Sequence, residues 1–292
     1  MRDVLSTQSF TVCLLSDGVS YWDGGGAFGL VPRPKWMKLL PPDEHNRVPQ
    51  ALRSVLIQTG GHNILVDCGV GDKPNDVIAT QYEVRRPHGH LLDDLARCGL
   101  SPQDIHAVIL THLHGDHAGW ATRNQAAPSD DPLDCALTFP NARYYVQRQE
   151  YHDATHTNER TRNTYFPANY LPLMRAGVLT LLDGEAQIAP AVRIVPTPGH
   201  TAGHQSVVIE AAGHPPVLIL GDLATYMIQF ARLAWVTAYD VLPLVTIETK
   251  RAWQQWAHAR EAVLVSPHDT RIPAGRLVKT DKGFFDIEPV AL

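Results

Sequence analysis

Cysteine is scarce in this chain of 292 residues, and the spacing of the few cysteines argues against two kinds of site. They are Cys13, Cys68, Cys98 and Cys135. None forms a C-x-x-C pair, so the pattern of neither a thiolate zinc site nor a disulfide framework is present. We therefore expect reduced and mostly buried cysteines. The 15 histidines are the more abundant metal-ligating side chains.

Long runs of one charge and long apolar runs are also missing. The formal net charge is −5 and no Lys/Arg run occurs, which argues against a nucleic-acid surface because such a surface needs clustered positive charge. No window approaches the roughly 18 apolar residues of a membrane span, and residues 1–10 lack an apolar signal core. We expect a soluble, cytoplasmic protein with a small-molecule substrate and with neither nucleic acid nor membrane as partner.

Short apolar runs recur along the whole chain and predict strands. They lie at residues 10–15, 55–59, 64–66, 108–110, 144–146, 192–195, 207–209, 217–220 and 263–265. Two segments between them have helical spacing, 91–98 and 246–260. Intermixed helices and buried strands predict an α/β layered architecture, and residues 1–292 show no composition break that would divide them into two domains.

The densest signal is the motif T-H-L-H-G-D-H at residues 111–117, directly after a predicted strand. Its metal-capable members are His112, His114, Asp116 and His117. In an extended segment the first two histidines point to the same side, and Gly115 allows a tight bend that brings the other two ligands to a second position. A polar loop with solvent-facing histidines is the alternative. The density of ligand types at a strand end favours a loop that serves two adjacent metals.

Three further predicted strands each end at one metal-capable side chain. These residues are His200, Asp222 and His268. They follow the carboxyl ends of apolar strands, where α/β sheets tend to place their sites. Taken alone, Asp222 also fits a helix N-cap and His200 a turn cap. As a set they complete a two-metal centre of five imidazoles and two carboxylates, which favours Zn with Fe, Mn or Co as alternatives.

These residues resemble the metallo-β-lactamase superfamily of dinuclear hydrolases, whose T-H-x-H-x-D-H signature is intact here. The resemblance implies two β-sheets packed face to face with helices outside, a four-layer αβ/βα sandwich with the metals at one edge. The implied ligand sets are His112, His114 and His200 for one metal and Asp116, His117 and His268 for the other, with Asp222 as the bridge.

Four further segments are similar to the quorum-quenching N-acyl-homoserine lactonase branch of that superfamily. They are residues 23–32, 64–67, 196–206 and 235–240. This similarity implies opening of a lactone or ester, with N-acyl-homoserine lactone as the substrate, by hydroxide from a water that two metals share. Organophosphate (phosphotriester) or thioester hydrolysis on the same site is the enzymatic alternative. A non-catalytic metal-binding protein is the alternative of another class, although its expected mark, loss of a ligand, is absent.

The resemblance also implies roles beyond metal binding. Asp116 would accept or deliver a proton, and Asp67 would orient a ligand imidazole unless it is an ordinary turn residue. The lactonases resembled here carry a tyrosine three residues after the bridging aspartate, where this chain has Thr225. Tyr226, one position later, is therefore the candidate catalytic tyrosine, with core packing as the alternative.

Two further expectations concern the surroundings of the site. The first is that aromatic residues line an acyl-chain pocket, with core packing as the alternative. The candidates are Trp22, Phe28, Trp120, Phe230 and Trp235. The second is a homodimer, which the resemblance implies, with the proline-rich segment 32–42 as part of an interface or a lid.

Overall fold

Two β-sheets, formed by successive parts of the chain, are the main feature of the computed structural model. The structure describes residues 4–73, 83–125, 131 and 133–291. The strands are β1 (Val4–Ser6), β2 (Phe10–Asp23), β3 (Arg47–Thr59), β4 (His62–Val66), β5 (Ala107–Ile109), β6 (Thr122–Asn124), β7 (Cys135–Leu137), β8 (Arg143–Gln147), β9 (Leu179–Leu182), β10 (Ala186–Ala189), β11 (Val192–Pro196), β12 (Gln205–Ile209), β13 (Val217–Ile219), β14 (Val263–Val265), β15 (Ala274–Lys279) and β16 (Phe285–Pro289).

The helices are short, apart from the last. They are α1 (Gly24–Phe28), α2 (Arg33–Trp36), α3 (Leu91–Arg97), α4 (Gly115–Ala118), α5 (Arg148–Thr155), α6 (Leu171–Arg175), α7 (Met227–Ala231) and α8 (Pro243–Ala259). Single turns of 3₁₀-helix lie at Pro102–Asp104, Gly119–Ala121, Pro167–Asn169 and Gly221–Leu223. Among the described residues, no helix has both the length and the apolar character needed to cross a membrane.

The first sheet has seven strands in the order β1-β2-β3-β4-β5-β8-β9, and the second has seven in the order β10 to β16. Pairs β4–β5, β5–β8 and β8–β9 are parallel, as is β13–β14, and the other pairs within these two sheets are antiparallel. Strands β6 and β7 form a separate antiparallel pair.

Side-chain alternation along the strands builds four layers. In β4, Ile64 and Val66 face the second sheet, where they share a core with residues such as Val207, whereas Leu65 faces outward. The outer face of the first sheet packs on α3, α5 and α6, and that of the second packs on α7 and α8. The predicted αβ/βα sandwich is confirmed, because each sheet buries one apolar face on its partner and the other on helices.

All nine predicted strands form, but the lengths of some elements differ from the prediction. The run at 10–15 is only the start of β2, which continues to Asp23 through a register shift between Ser16 and Gly18. Gly18 has φ of 114°, a conformation that favours glycine. Helix α8 begins three residues before the predicted start, because Pro243 suits its first turn, where no intrahelical N–H bond is needed.

Candidate metal centre

Four strand ends deliver the predicted ligands to one edge of the sandwich. The motif follows β5, and the three single residues follow β11, β13 and β14. The backbone N–H of Gln205 donates to the carbonyl of Thr111 at 2.9 Å and so joins the two sheets at this edge. All seven residues are buried, with at most 8% of the surface of any of them exposed. The structure thus brings together every residue that the sequence predicted as a metal ligand.

One group of donors consists of three imidazoles. His114 Nδ1 lies 3.1 Å from His200 Nε2, and the ring centroid of His112 lies 4.4 Å from that of His114 and 4.8 Å from that of His200. One ligand nitrogen from each residue lies within 4.8 Å of the others. This is the set that the resemblance implies for one metal.

A second group abuts the first, and Asp222 lies between them. His117 Nε2 is 3.0 Å from His268 Nε2, and Asp116 Oδ2 is 3.7 Å and 3.9 Å from these two nitrogens. Asp222 Oδ1 lies 3.0 Å from His268 Nε2, while Asp222 Oδ2 lies 3.3 Å from His200 Nε2. One carboxylate therefore faces both groups, as a bridging ligand would.

The motif itself begins a helix instead of making a tight bend. Gly115 is the first residue of α4, with His114 as the N-cap in extended conformation. A Cβ at this position would lie 2.1 Å from the Phe166 ring. Only glycine therefore allows the close contact with Phe166 at this position. The helical turn that follows separates Asp116 and His117 from His112 and His114.

Hydrogen bonds on the first-sheet side orient the ligand imidazoles. His117 Nδ1 donates to Asp67 Oδ2 at 2.9 Å. Asp67 also accepts from the backbone N–H of Thr111 at 2.7 Å and from its hydroxyl at 2.9 Å. The Thr111 oxygen lies 3.1 Å from Nδ1 of His112. These contacts orient the two rings so that Nε2 of each is directed at the cluster.

A second aspartate, Asp240, orients the imidazole of His200, which follows a strand of the second sheet. His200 Nδ1 lies 3.0 Å from Asp240 Oδ1, which also accepts from the Thr237 hydroxyl at 2.8 Å. The Thr246 hydroxyl donates to Asp240 Oδ2 at 2.6 Å. The sequence suggested Asp67 for this kind of role, but it gave Asp240 no role.

Three further contacts hold the remaining ligands. His268 Nδ1 donates to the Ala51 carbonyl at 2.7 Å, and Gln50 Nε2 donates to Asp116 Oδ2 at 3.1 Å. His204 Nε2 accepts the backbone N–H of Asp222 at 2.9 Å. Burial lowers the pKa of His204 to about 3, so this ring is neutral and able to accept.

The electrostatics of the cluster favour positive charge at its centre. Burial and neighbouring imidazoles hold the pKa of His112 well below its usual value. Burial alone would also lower the pKa of His117, but Asp116, Asp67 and Asp222 raise it well above its usual value. Burial would raise the pKa of Asp222, yet His268, His117 and His200 hold it well below the usual range. The ionised carboxylates that favour a proton on His117 would equally favour a metal cation, and His117 would release its proton when it binds one.

Two buried atoms at the centre lack a partner. Within the part of the chain that the structure describes, His112 Nε2 makes no hydrogen bond, and Asp222 Oδ1 makes none of suitable geometry although it lies 3.0 Å from His268 Nε2. A buried polar atom without a partner is costly, and both atoms point into the two donor groups. The donor set, its charge and these unpaired atoms therefore fit two divalent metal ions.

A small cavity of about 40 Å³ opens beside the cluster. Its walls combine metal-ligand candidates with other side chains; the latter are Trp22, Ala27, Gln50, Thr164, Thr225 and Tyr239. Of the five aromatic residues predicted to line it, only Trp22 does so. The alternative of core packing holds for the other four, which are buried or packed against core clusters: Phe28, Trp120, Phe230 and Trp235.

Tyr226 is not placed in this cavity. Its hydroxyl donates to the Pro49 carbonyl at 3.2 Å, and its ring stacks on Phe28 at 5.4 Å. It lines a separate, mostly apolar cavity of about 170 Å³. The reason is local: Tyr226 is the N-cap of α7, and its backbone is tied to Gln229, which turns the side chain into the core. Tyr226 therefore packs in the core, which was the alternative to a catalytic role.

The segment 32–42 is anchored to the body of the protein. Trp36 is buried and stacks on Phe28 with ring centroids 4.9 Å apart and planes 4° from parallel. Leu40 is also buried, whereas Leu30, just before the segment, is fully exposed. The interface or lid expected here therefore has a fixed base in the core.

Several curated proteins similar to this chain are named N-acyl homoserine lactonases. An N-acyl homoserine lactonase of a Bacillus species is 35% identical over 133 residues, which are 45% of this chain and 44% of that relative. The match to that relative thus spans less than half of its length. The Bacillus cereus N-acyl homoserine lactonase is 29% identical over 222 residues, 72% of this chain and 75% of the relative.

Solved structures share the fold over nearly the whole chain. A probable metal-dependent hydrolase from Staphylococcus aureus has a TM-score of 0.85 at 27% identity and covers 99% of this chain and 100% of its own. AidC, a dizinc quorum-quenching lactonase, has a TM-score of 0.79 at 19% identity, with 100% and 98% covered, a likeness that shows the fold alone. The family model of the metallo-β-lactamase superfamily matches residues 53–276. The chain belongs to the metallo-β-lactamase superfamily.

Proposed function

We propose that this protein is a dinuclear metal-dependent hydrolase that opens the ring of an N-acyl-homoserine lactone. The observation that carries the proposal is the position of Asp222. Its two carboxylate oxygens face two separate donor groups, which suits a pair of metals and not a single ion. Family membership and the lactonase relatives support the hydrolase class and the substrate.

The residues would divide as the resemblance implies. One metal would be held by His112, His114 and His200, the other by Asp116, His117 and His268, with Asp222 shared. Five imidazoles and two carboxylates favour zinc, with Fe, Mn or Co as alternatives. Bound there, divalent ions would lower the pKa of a water and polarise a carbonyl oxygen.

The chain's own groups supply orientation and proton handling. Asp67 and Asp240 fix the rings of His117 and His200. Asp116 lies at the cavity wall, and its Oδ2 is held by Gln50. In the proposed reaction Asp116 takes a proton during ring opening and returns it to the leaving alkoxide. The cavity keeps the reacting carbonyl among buried groups, where charge interactions are strong.

A substrate panel with metal analysis tests the proposal. The reconstituted protein would be assayed with acyl-homoserine lactones of several chain lengths, aryl esters, phosphotriesters and glutathione thioesters. We expect two equivalents of metal per chain and fastest turnover of a lactone. Fewer than two equivalents would end the dinuclear assignment. If lactones are not cleaved but phosphotriesters or thioesters are, the substrate class is that alternative and not a lactone. If no substrate is turned over, the result favours a non-catalytic metal-binding protein. The homodimer and the cytoplasmic location stay predictions.

A further inference from the structure

Tyr239 has a hydroxyl group that the structure leaves available beside the metal-ligand cluster. Its side chain lines the 40 Å³ cavity together with His114, Asp116 and Asp222. Within the described residues, this hydroxyl has no hydrogen-bond partner in the protein. Tyr226 differs in this respect, because its hydroxyl already donates to Pro49. Of these two tyrosines, only Tyr239 offers a donor to a molecule in the cavity.

The backbone around Tyr239 is fixed from several directions. The N–H of Ala238 donates to the Gly26 carbonyl at 2.9 Å, and that of Val241 donates to the His200 carbonyl at 3.0 Å. Arg160 Nη2 donates to the carbonyls of Ala238 and Asp240 at 2.7 and 2.9 Å. Because the residue next to Tyr239 also binds the His200 imidazole, the tyrosine is held in register with a metal-ligand candidate.

Packing contacts surround the ring of Tyr239 as well. The ring meets Trp22 edge to face, with centroids 5.3 Å apart. A Cβ on Gly26 would lie 2.1 Å from the Tyr239 oxygen. Glycine at position 26 is therefore what leaves room for the hydroxyl. Packing of this kind limits the rotamers of the ring and lowers the entropy lost when the hydroxyl binds a ligand.

Tyr239 also lines a second cavity. It measures about 130 Å³ and is lined by Arg160, Thr161 and Thr164 as well as His114 and Tyr239. His114, Thr164 and Tyr239 thus belong to the walls of both cavities. A substrate whose ester group lies at the cluster and whose remaining part lies in the second cavity would therefore contact the wall that Tyr239 contributes to both cavities.

We infer that Tyr239 is the residue that donates a hydrogen bond from its phenol to an oxygen of the ester group undergoing cleavage. This inference rests on the proposed lactone hydrolysis. The hydrogen bond strengthens as negative charge develops on that oxygen, and the phenol keeps its proton throughout. Burial raises the pKa of Tyr239 to about 12, so the group remains a donor at neutral pH. Tyr239, the proposed hydrogen-bond donor, lies 17 positions beyond Asp222 on the loop before α8.

The test is steady-state kinetics of Tyr239→Phe with N-hexanoyl-homoserine lactone, on protein loaded with Zn²⁺. The substitution removes the hydroxyl and keeps the ring against Trp22. We expect kcat/KM to fall about 10- to 100-fold, mostly through kcat, because the bond is strongest in the transition state. Metal content and Tm should match the wild type. Tyr226→Phe is the matched comparison, and its loss in kcat/KM should be much the smaller of the two.

A second variant changes the position of the Tyr239 hydroxyl through a substitution at Gly26. Gly26→Ala must displace the Tyr239 oxygen, so it should also lower kcat while Tyr239 itself is unchanged. Wild-type kcat/KM within about twofold for Tyr239→Phe, with two metals bound, would overturn the inference and leave the lactonase proposal intact. If the wild type instead cleaves only an aryl ester or thioester, the lactone proposal fails, and the same comparison on that substrate decides the role of Tyr239.

Discussion

The two sheets supply the candidate metal ligands in different ways. The first provides four of them from one loop within six positions, whereas the second provides three from separate strand ends. Both sheets nevertheless hold an imidazole with a buried aspartate, Asp67 in the first and Asp240 in the second. In both the compact motif and the dispersed set, a buried aspartate thus orients the ring of a candidate metal ligand.

The two aspartates are themselves held differently. Asp67 has φ of 58° and accepts a backbone N–H from Thr111, so its position follows from the path of the chain. Asp240 depends on two side-chain hydroxyls, those of Thr237 and Thr246. We therefore expect the first-sheet arrangement to tolerate less change than the second.

Removal of the metals should have the largest effect, because it affects both sheets at once. Chelation should reduce lactone turnover to the uncatalysed rate and lower Tm, since bound metal stabilises the native state by about 4 kcal/mol at 1,000 times its Kd. Calorimetry and kinetics before and after adding Zn²⁺ would measure this. Metal-free protein that keeps the full rate would contradict the metal assignment for both sheets.

Asp116→Asn should have the next largest effect, and it addresses the first sheet alone. The amide keeps an oxygen that can bind a metal but cannot take a proton, so we expect kcat to fall by a factor of about 10²–10⁴. The measurement is kcat together with bound metal per chain. Near-normal turnover at full metal content would remove Asp116 from proton transfer and leave it as a ligand only.

Asp67→Asn and Asp240→Asn compare the two sheets directly. Loss of a carboxylate that orients a metal-ligating histidine typically costs about 10- to 100-fold in metal affinity or activity. Asparagine tolerates the positive φ at position 67, so backbone strain should not complicate that variant. We expect Asp67→Asn to show the larger loss, measured by competition with a chelator of known affinity. Equal losses would show that the two arrangements are equivalent.

Glu150→Ala should have the smallest effect on turnover and a clear effect on stability. Glu150 links the sheets, because its buried carboxylate accepts the Leu113 N–H at 2.9 Å and the Thr201 hydroxyl. Each buried donor left without a partner costs about 1–3 kcal/mol. Urea unfolding would measure the loss, with Glu159→Ala on the surface as control. A variant as stable as this control would show that the link is dispensable.

The sequence alone predicted the layered fold and all seven members of the cluster. The reason is that ligand types stand out at strand ends, where apolar alternation stops and His200, Asp222 or His268 follows at once. The strands themselves are recognisable because burial on both faces requires near-continuous apolar runs.

The residues around the ligands were harder to predict. Asp240 lies 40 positions from the His200 ring that it contacts, and no local spacing connects the two. Tyr226 and Tyr239 are chemically equal in the sequence, and only the N-cap of α7 turns the first into the core. The aromatic residues were expected at the cavity, but the apolar area of most of them is buried by packing instead.

The contact between Gly26 and Tyr239 has a consequence for how the two positions can diverge during evolution. Any larger side chain at position 26 collides with the phenol oxygen, so the glycine can be replaced only after the tyrosine has changed or moved. The two positions should therefore vary together among related proteins. Where another residue replaces the tyrosine, larger side chains should also occur at position 26.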